Sequence, residues 1–340
     1  MKKIYTGTYC HGGADSLFAA DFDEHTGRLS LAGSCAFVDN PSYLARGKGG
    51  LLYAVSETQD FMDHPNSGAL AVLKDSGSAF SLLAAQPTLG AAPCHVLLSA
   101  DESRLYVSNY MGGSLSTFVA APQLHLTQTV QHRGSGPNRA RQEGPHVHFC
   151  GFAGDRLYAV DLGLDVLKSY RTCENALVPD AASDIRLPKG SGPRHFVVSK
   201  LYPNTIFVLC ELSNEVMMVD ISQPGGTLLQ TISTLPEPCE SICAAIKQSD
   251  CGRFLFASNR GHDSLAVLSL AQDRREMALA SVAKSEGKTP RDFCVLGGHL
   301  LVCNQDSDTI TVFSFDTQTR QLTFTGERCR CPKPVCVIEA

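Results

Sequence analysis

A proline-led apolar segment recurs along the whole chain and restricts the fold more than any other feature of the sequence. Each copy is a proline followed by a short run with the apolar content and alternation of a β-strand. Successive prolines are 44 to 52 residues apart, a spacing that fits a repeat of four short strands with their turns. The prolines are Pro41, Pro93, Pro145, Pro193, Pro238, Pro290 and Pro334.

The second strand of each repeat ends in a polar residue and is followed by a turn and another apolar strand. The copy at Pro334 is short, and its missing strands match KKIYTGTY and GADSLFAADFD near the N-terminus. Joining the first and last strands in one blade leaves no exposed edge where the ring closes. The pattern therefore predicts an all-β chain, a single seven-bladed β-propeller domain over residues 1–340. Its blades would be four-stranded and antiparallel, with the ring closed by the terminal strands.

Composition excludes several classes of protein. The net charge of −5 gives no general attraction for nucleic acid or an anionic membrane. The N-terminus lacks an apolar leader region, and no apolar run reaches transmembrane length. The 14 cysteines form no C-x-x-C pair and mostly sit in apolar runs, where cysteine acts as a small hydrophobe. A reducing, cytoplasmic location is therefore expected.

The predicted topology brings two sets of residues to one mouth of the central channel. The first strand of a propeller blade is innermost, and the second strand runs antiparallel to it. The residue after each proline and the end of each second strand therefore share one mouth. The first set includes His146, Arg194 and Arg291, and the second includes Glu211 and Arg260. Arginines, histidines and carboxylates should meet there.

The stretch RQEGPHVHF holds His146 and His148, which would point to one side of a regular strand. Two histidines could bind a metal, but such a site needs at least one further ligand, so no metal is expected. A histidine that caps the strand and bonds to backbone is the structural alternative. His146 is favoured as the functional residue because it is placed in its blade like Arg194 and Arg291. Arg141 lies in the loop before it, which could gather anions or be a solvated loop.

Converging arginines suit an anionic ligand, because a guanidinium group can bind a carboxylate or phosphate with two hydrogen bonds. Simple pairing with nearby acids, such as Asp263 and Asp292, is the alternative. Glu211 ends the apolar strand IFVLCE, so it could be a partly desolvated general base or the partner of a neighbouring arginine. The basic candidates are Arg194 with its neighbour His195, Arg260 and Arg291.

Four segments of the sequence resemble the lactonase family of seven-bladed propellers. They are RQEGPHVH, SGPRHF, GRFLFASNRGHDSLAVL, and TPRDF with LLVCNQDSDTITVF. That family includes bacterial propeller-type 6-phosphogluconolactonases and fungal carboxy-muconate lactonizing enzymes. The resemblance extends in order over nearly all 340 residues. It implies a site of one histidine, two arginines and one glutamate, with no required metal and no cofactor. The best matching positions are His146, Arg194, Glu211 and Arg260.

The resemblance implies hydrolysis of a sugar-acid lactone, with 6-phosphogluconolactone of the pentose phosphate pathway as the expected substrate. Glu211 or His146 would act as general base, and Arg194 or Arg260 would stabilise the oxyanion. The expected partner is thus a small anionic sugar lactone, with no nucleic acid or membrane, and the protein a monomer or weak homo-oligomer. The further substrate-binding candidates are His148, His195, Arg291 and Arg141.

Two other functions fit parts of the pattern. A lactonizing cycloisomerase would use the same arginines for the carboxylates of a muconate-like substrate. A non-catalytic propeller would bind a protein or peptide at its mouth, where apolar or aromatic residues would then be expected. The chain has no tryptophan, and its predicted mouth carries arginine, histidine and glutamate, which favours an enzyme.

Overall fold

The computed structural model describes all residues except 78, 121–123, 174–175 and 273. The described chain falls into two compact units. The C-terminal unit comprises Met1–Thr6, Ala19–Ala32 and Pro193–Ala340, and the N-terminal unit comprises Gly7–Phe18 and Gly33–Gly192. The assignment of residues 1–340 to a single domain stays a prediction.

The C-terminal unit contains three complete four-stranded sheets and most of a fourth, the closing sheet. With strands numbered along the chain, the closing sheet has β1 Lys2–Thr8, β2 Leu17–Phe22, β3 Leu29–Cys35 and β31 Pro334–Glu339. Its strand order is β3-β2-β1-β31, which confirms that the terminal strands pair. The other sheets are β19 Pro193–Val198, β20 Thr205–Cys210, β21 Glu215–Asp220 and β22 Thr227–Ser233; β23 Ile242–Gln248, β24 Phe254–Arg260, β25 Ser264–Leu270 and β26 Met277–Lys284; and β27 Pro290–Leu296, β28 His299–Asn304, β29 Thr309–Asp316 and β30 Gln321–Arg330.

The N-terminal unit holds three more large sheets, so the described residues contain seven sheets of four or five strands, the number of blades predicted. One sheet gains a small hairpin, and another has its outer edge divided between two short strands. The strands are β4 Leu44–Arg46, β5 Leu51–Ser56, β8 Ala69–Asp75 and β9 Phe80–Pro87, with the hairpin β6 Asp60–Phe61 and β7 His64–Pro65; β10 Pro93–Leu98, β11 Arg104–Asn109, β12 Ser114–Val119 and β13 His125–Gln131; and β14 Val147–Ala153, β15 Arg156–Asp161, β16 Val166–Cys173, β17 Ala176–Pro179 and β18 Ile185–Arg186. The short 3-10 helices are η1 Lys48–Gly50, η2 Leu162–Leu164, η3 Ala181–Ser183 and η4 Gln305–Ser307.

The cores lie between neighbouring sheets. In the C-terminal unit, Phe207 and Leu209 of β20 pack in one cluster with Leu255 and Leu268 of the next sheet. Every residue of β20 is buried, whereas the outer strand β22 is mostly exposed or half-buried. Strands that are buried on both faces read as continuous apolar runs, which is why the sequence repeat is visible.

Prolines mark the first strands, but not always at the first residue. Four strands, β10, β19, β27 and β31, begin at the predicted proline. Proline lacks a backbone N–H group, so the first position of a strand costs no ladder hydrogen bond. In the other three blades the strand begins two to four residues later, at Leu44, Val147 and Ile242.

In several blades the first strand has a β-bulge near its start, where one residue is skipped by the pairing with the second strand. The bulges change which residues of different blades are equivalent. In β19 and β27 the proline pairs with the end of the second strand, and Arg194 and Arg291 are then skipped by the pairing. In β14, Val147 takes the pairing position of the proline, and His148 is skipped. The prediction that His146 matches the two arginines in register is therefore wrong. His148 has that place, because β14 starts two residues after its proline.

Candidate functional site

A cluster of three charged side chains, two of them buried and one half-buried, forms in the C-terminal unit. Arg194 sits at the bulge of β19, Glu211 directly follows β20, and Arg260 is the last residue of β24. One oxygen, Oε2 of Glu211, lies 3.0 Å from Nε of Arg194 and 2.7 Å from Nη2 of Arg260. The side chains of Arg194 and Glu211 are 4% and 3% exposed, and that of Arg260 is 12% exposed. The two strand ends and the bulge thus bring together residues up to 66 positions apart.

Backbone carbonyl groups and a histidine fix both arginines. Nη1 of Arg194 donates to the carbonyl oxygen of Ala244 and to Nε2 of His195, 3.1 Å away. Nη2 of Arg260 donates to the carbonyl oxygen of Cys243 at 2.8 Å. Both carbonyls come from β23, the first strand of the sheet that holds Arg260. His195, predicted to bind substrate, supports Arg194 in the structure.

The three side chains of the cluster together carry a formal charge of plus one. Guanidinium groups held in a fixed geometry at a dry site are strong donors to a carboxylate, a phosphate or a developing oxyanion. Glu211 is in a salt bridge with both arginines, as one of its two predicted roles required. Arg260 pairs with Glu211, while its expected partner Asp263 accepts the backbone N–H of Thr289 at 2.8 Å.

The thiol of Cys243 lies beside this cluster and is chemically inert. Burial raises the pKa of Cys243 to about 12, so the thiol keeps its proton at neutral pH. Its sulfur lies 3.3 Å from Oδ1 of Asn259, which is fully buried at the end of the same second strand as Arg260. The buried, protonated thiol is therefore a poor nucleophile at neutral pH.

His146 lies in the N-terminal unit and is held on every side. Its ring stacks on Tyr110, with centroids 4.5 Å apart and the planes inclined by 20°. Nδ1 lies 3.1 Å from the carbonyl oxygen of Tyr110, and Nε2 lies 3.0 Å from Oε1 of Glu143. Its backbone N–H donates to Oδ1 of Asp161 at 2.8 Å. Carbonyl and carboxylate oxygens only accept, so each ring nitrogen faces an acceptor, and both can donate at once only in the imidazolium form.

Glu143 and Arg141 complete the surroundings of His146. The backbone N–H of Glu143, and then the charge and hydrogen bond of His146 and the charge of Arg141, hold the pKa of the Glu143 carboxyl below its usual value. Nη2 of Arg141 lies 3.5 Å from the hydroxyl group of Tyr110. The side chain of Glu143 is 55% exposed, whereas that of His146 is 6% exposed.

His148 is also buried, and its ring contacts Tyr110 edge-on at 5.4 Å. The thiol of Cys94, at the matching bulge of β10, lies 3.9 Å from Nδ1 of His148 and 3.3 Å from its carbonyl oxygen. The histidine at the bulge is thus enclosed by an aromatic ring and a thiol.

Arg291 occupies the bulge of β27 and is half-buried. The neighbouring Asp292, one of its expected partners, lies 3.5 Å from Nζ of Lys247 and accepts the backbone N–H of Val337 at 3.2 Å. Lys247 on β23 is a charged residue of the inner strands that the sequence reasoning did not select.

Comparison with known proteins identifies the family. The family model described as "Lactonase, 7-bladed beta-propeller" matches residues 3–339. The chain belongs to this lactonase family. The predicted resemblance and the seven-bladed β-propeller fold with four-stranded blades are therefore confirmed.

Relatives and solved structures cover this lactonase-family chain almost completely. A protein of Bacillus subtilis (strain 168) named 6-phosphogluconolactonase is 31% identical, over 98% of this chain and 97% of its own. An equally identical relative from Lactococcus lactis subsp. cremoris is described as uncharacterized. A crystal structure of a Lactobacillus plantarum protein has a TM-score of 0.90 and 30% identity, covering 100% of this chain and 99% of that one. The structure of a Pseudomonas aeruginosa periplasmic gluconolactonase has a TM-score of 0.89 and 28% identity, covering 99% and 98%.

A buried hydrogen-bonded chain in the N-terminal unit escaped the sequence reasoning. The hydroxyl group of Tyr170 lies 2.8 Å from Nε2 of His132, and Nδ1 of His132 lies 2.6 Å from Oδ2 of Asp161. Burial, followed by the charges of Asp184 and Asp161, raises the pKa of Tyr170, so the phenol stays neutral. Asp161 also accepts a hydrogen bond from the backbone N–H of His146. The three hydrogen-bonded side chains thereby fix the position of the His146 backbone. Of these three residues only Asp161 ends a second strand, β15, which is the kind of position that the sequence repeat marks.

Across the described residues, no three histidine, cysteine, aspartate or glutamate side chains group closely enough to hold a metal ion. No helix in the described ranges is both long and apolar enough to cross a membrane.

Proposed function

We propose that this lactonase-family chain hydrolyses a phosphorylated sugar-acid lactone, 6-phosphogluconolactone, to the open acid. The observation that carries the proposal is the buried Arg194–Glu211–Arg260 cluster, with its excess positive charge and fixed donors. The name of the Bacillus subtilis relative supports the substrate. The proposal includes the predicted cytoplasmic location and a place in the pentose phosphate pathway.

Lactone hydrolysis needs a base for water and donors for the oxyanion. In the proposed step, a carboxylate oxygen of Glu211 takes a proton from water, whose oxygen bonds to the lactone carbonyl carbon. The carbonyl electrons move onto oxygen, and that oxyanion is stabilised by a guanidinium group. We assign this donor to Arg260, because its side chain is the more exposed of the two arginines.

Collapse of the tetrahedral intermediate completes the reaction. The carbonyl re-forms, the bond from that carbon to the ring oxygen breaks, and the ring oxygen receives the proton held by Glu211. The products are the carboxylic acid, which ionises at neutral pH, and a free hydroxyl group. Arg194 orients Glu211 and adds positive charge to the site.

His146 is proposed as a donor to an anionic group of substrate and not as the base. Both of its ring nitrogens lie against acceptor oxygens, an arrangement that suits a hydrogen-bond donor better than a base. Substrate binding is the proposed role of four further residues: His148, His195, Arg291 and Arg141.

The test is acid release from 6-phosphogluconolactone by purified protein, followed in a pH-stat after subtraction of spontaneous hydrolysis. Plain gluconolactone and a muconate-type dicarboxylate are compared, each with and without a chelator. Arg194→Ala and Glu211→Gln should lower kcat by about two to three orders of magnitude. Arg260→Lys keeps the charge but loses the planar fork, so kcat should fall here too.

The matched control is Arg274→Ala, which removes an exposed arginine that lies 3.8 Å from Glu276 in the same unit. This variant should keep the wild-type rate. Unchanged turnover in folded Arg194→Ala and Glu211→Gln proteins, with folding checked by circular dichroism, would show the assignment to be wrong. Cyclisation of the dicarboxylate without lactone hydrolysis would favour the lactonizing alternative.

A further inference from the structure

The contact between His146 and Glu143 joins a buried group to an exposed one. The imidazole is 6% exposed, whereas the Glu143 side chain is 55% exposed, and their Nε2 and Oε1 atoms are 3.0 Å apart. The solvent-exposed Glu143 carboxylate therefore contacts a His146 nitrogen that has little access to solvent. The two residues are three apart in the chain, so the loop RQEGPH delivers both.

The His146 donor needs an acceptor. Nδ1 is used by the carbonyl oxygen of Tyr110, and the ring face is covered by the ring of Tyr110. Leaving a buried N–H group without an acceptor is costly, because water cannot easily replace the lost partner. Any group that moves Glu143 aside must therefore offer a hydrogen-bond acceptor of its own.

The field around this position is positive. Both His146 and Arg141 act electrostatically on the Glu143 carboxylate. Arg141 also approaches the hydroxyl group of Tyr110, on the same aromatic ring that His146 stacks against. The field that holds the Glu143 carboxylate would hold a ligand's carboxylate or phosphate equally well.

We propose that Glu143 is an internal substitute for the anionic group of the ligand, occupying Nε2 of His146 until the ligand displaces it. The ligand class, a phosphorylated sugar acid or its lactone, rests on the function proposed above. Glu143 thereby sets which ligands bind: a neutral molecule cannot compensate for the displaced charge, whereas an anion can.

The exposure of Glu143 determines how strongly its carboxylate competes with a ligand anion for His146. Exposed ion pairs are weak, so the Glu143 contact costs an incoming anion only a small factor in affinity. Removing the carboxylate should strengthen anion binding by about two- to six-fold. Loss of an ordinary substrate-binding residue would weaken binding, so the sign of the change distinguishes the two roles.

The experiment is calorimetric titration of the full chain with 6-phosphogluconate and, separately, with inorganic phosphate. Glu143→Ala should bind at least one of these probes about two- to six-fold more tightly than the wild type, and Glu143→Gln should lie between. Asp155→Ala is the matched control, since it removes an exposed carboxylate beside Arg156 in the same unit and changes the net charge equally. That variant should bind as the wild type does. In His146→Gln protein, adding Glu143→Ala should give no gain.

Unchanged or weaker binding in Glu143→Ala, or an equal gain in Asp155→Ala, would overturn the proposal. Failure of both wild type and Glu143→Ala to bind either probe would overturn it as well. The lactonase assay is independent of this result. Tighter binding by Glu143→Ala without lactone turnover in the wild type would support the role of Glu143 and overturn the proposed lactonase function. Turnover without tighter binding would support the lactonase function and overturn the role of Glu143.

Discussion

At the scale of single residues, Glu211 holds a buried and a half-buried cation together through one oxygen atom. Its neutral isostere, Glu211→Gln, would leave Arg194 and Arg260 buried with no opposing charge inside the cluster. Breaking a buried ion pair by removing one partner costs about 3–5 kcal/mol. We expect the free energy of unfolding, measured by urea denaturation, to fall by about that amount.

The control for this loss is Glu286→Gln. Glu286 pairs with Arg328 at 2.7 Å, but both side chains are exposed, at 39% and 44%. Its effect on unfolding should stay within about 1 kcal/mol. Equal effects of the two substitutions would mean that the buried cluster contributes no more than a surface pair.

Because of its buried thiols, the protein should have a stability that varies with pH in the alkaline range. Burial raises the pKa of Cys150 and of Cys243 to about 12, against 9.0 for an unperturbed thiol. Between pH 9 and 12 the unfolded chain loses these protons and the folded chain keeps them. The free energy of unfolding should therefore fall as pH rises, by about 1.4 kcal/mol per pH unit for each thiol.

Urea denaturation at several pH values between 8 and 11, in the presence of a reductant, measures this slope. Cys150→Ala and Cys243→Ala should each reduce the slope, whatever their effect on absolute stability. Cys239→Ala removes an exposed thiol and should leave the slope unchanged. A slope that is the same in all four proteins would contradict the prediction.

At the scale of strands and loops, the sequence predicted what depends on periodicity and missed what depends on exact register. Strands buried on both faces gave visible apolar runs, so the blades could be counted. The bulges could not be seen, because nothing in GPHVHF marks whether His146 or His148 leaves the ladder. The hairpin Asp60–Pro65 was missed for a related reason, since strands of two residues carry no periodic signal.

The candidate site was predictable in its residues and not in its contacts. Strand ends and proline-following positions indicated Arg194, Glu211 and Arg260. Their pairing was hidden, because an acid close in sequence, Asp263, accepts backbone N–H groups instead, one from Gly261 in its own turn and one from the distant Thr289. The carbonyl groups that fix both arginines belong to the backbone, which sequence patterns do not distinguish.

The loop that carries His146 depends on a glycine in the helix η2. A side chain at Gly163 would collide with the carbonyl group of Gly144 and lie 3.0 Å from the backbone nitrogen of His146. Gly163→Ala should therefore push the loop away, destabilise the fold by about 1–3 kcal/mol and weaken 6-phosphogluconate binding. Urea denaturation and calorimetry measure the two effects.

The other glycine of this contact provides the control. A Cβ atom at Gly144 would meet nothing within 4 Å. Gly144→Ala should therefore change neither stability nor binding appreciably. If Gly163→Ala proved equally harmless, close approach of the two segments would not be what positions the loop.

At the scale of the whole molecule, the fold depends on a sheet assembled from both ends of the chain. In the closing sheet β1 lies between β2 and β31, and the N–H of Ala340 donates to the carbonyl oxygen of Lys3 at 2.9 Å. β31 also packs against β27, where Val337 donates to Asp292. Removing β31 would expose an edge of β1 and apolar side chains of the neighbouring sheet at once.

Deletion of residues 334–340 should therefore abolish the cooperative unfolding transition and lead to aggregation. The deleted strand contributes Val335, Cys336 and Val337, which are 3%, 0% and 1% exposed, so the loss is of core and not of a loose terminus. Glu339→Ala is the control, because it removes only the surface contact with Lys2 and should fold normally. Size-exclusion chromatography and thermal unfolding followed by circular dichroism compare the two proteins. A truncated chain that stayed monomeric and unfolded in one sharp transition would show that the other strands hold the fold without closure.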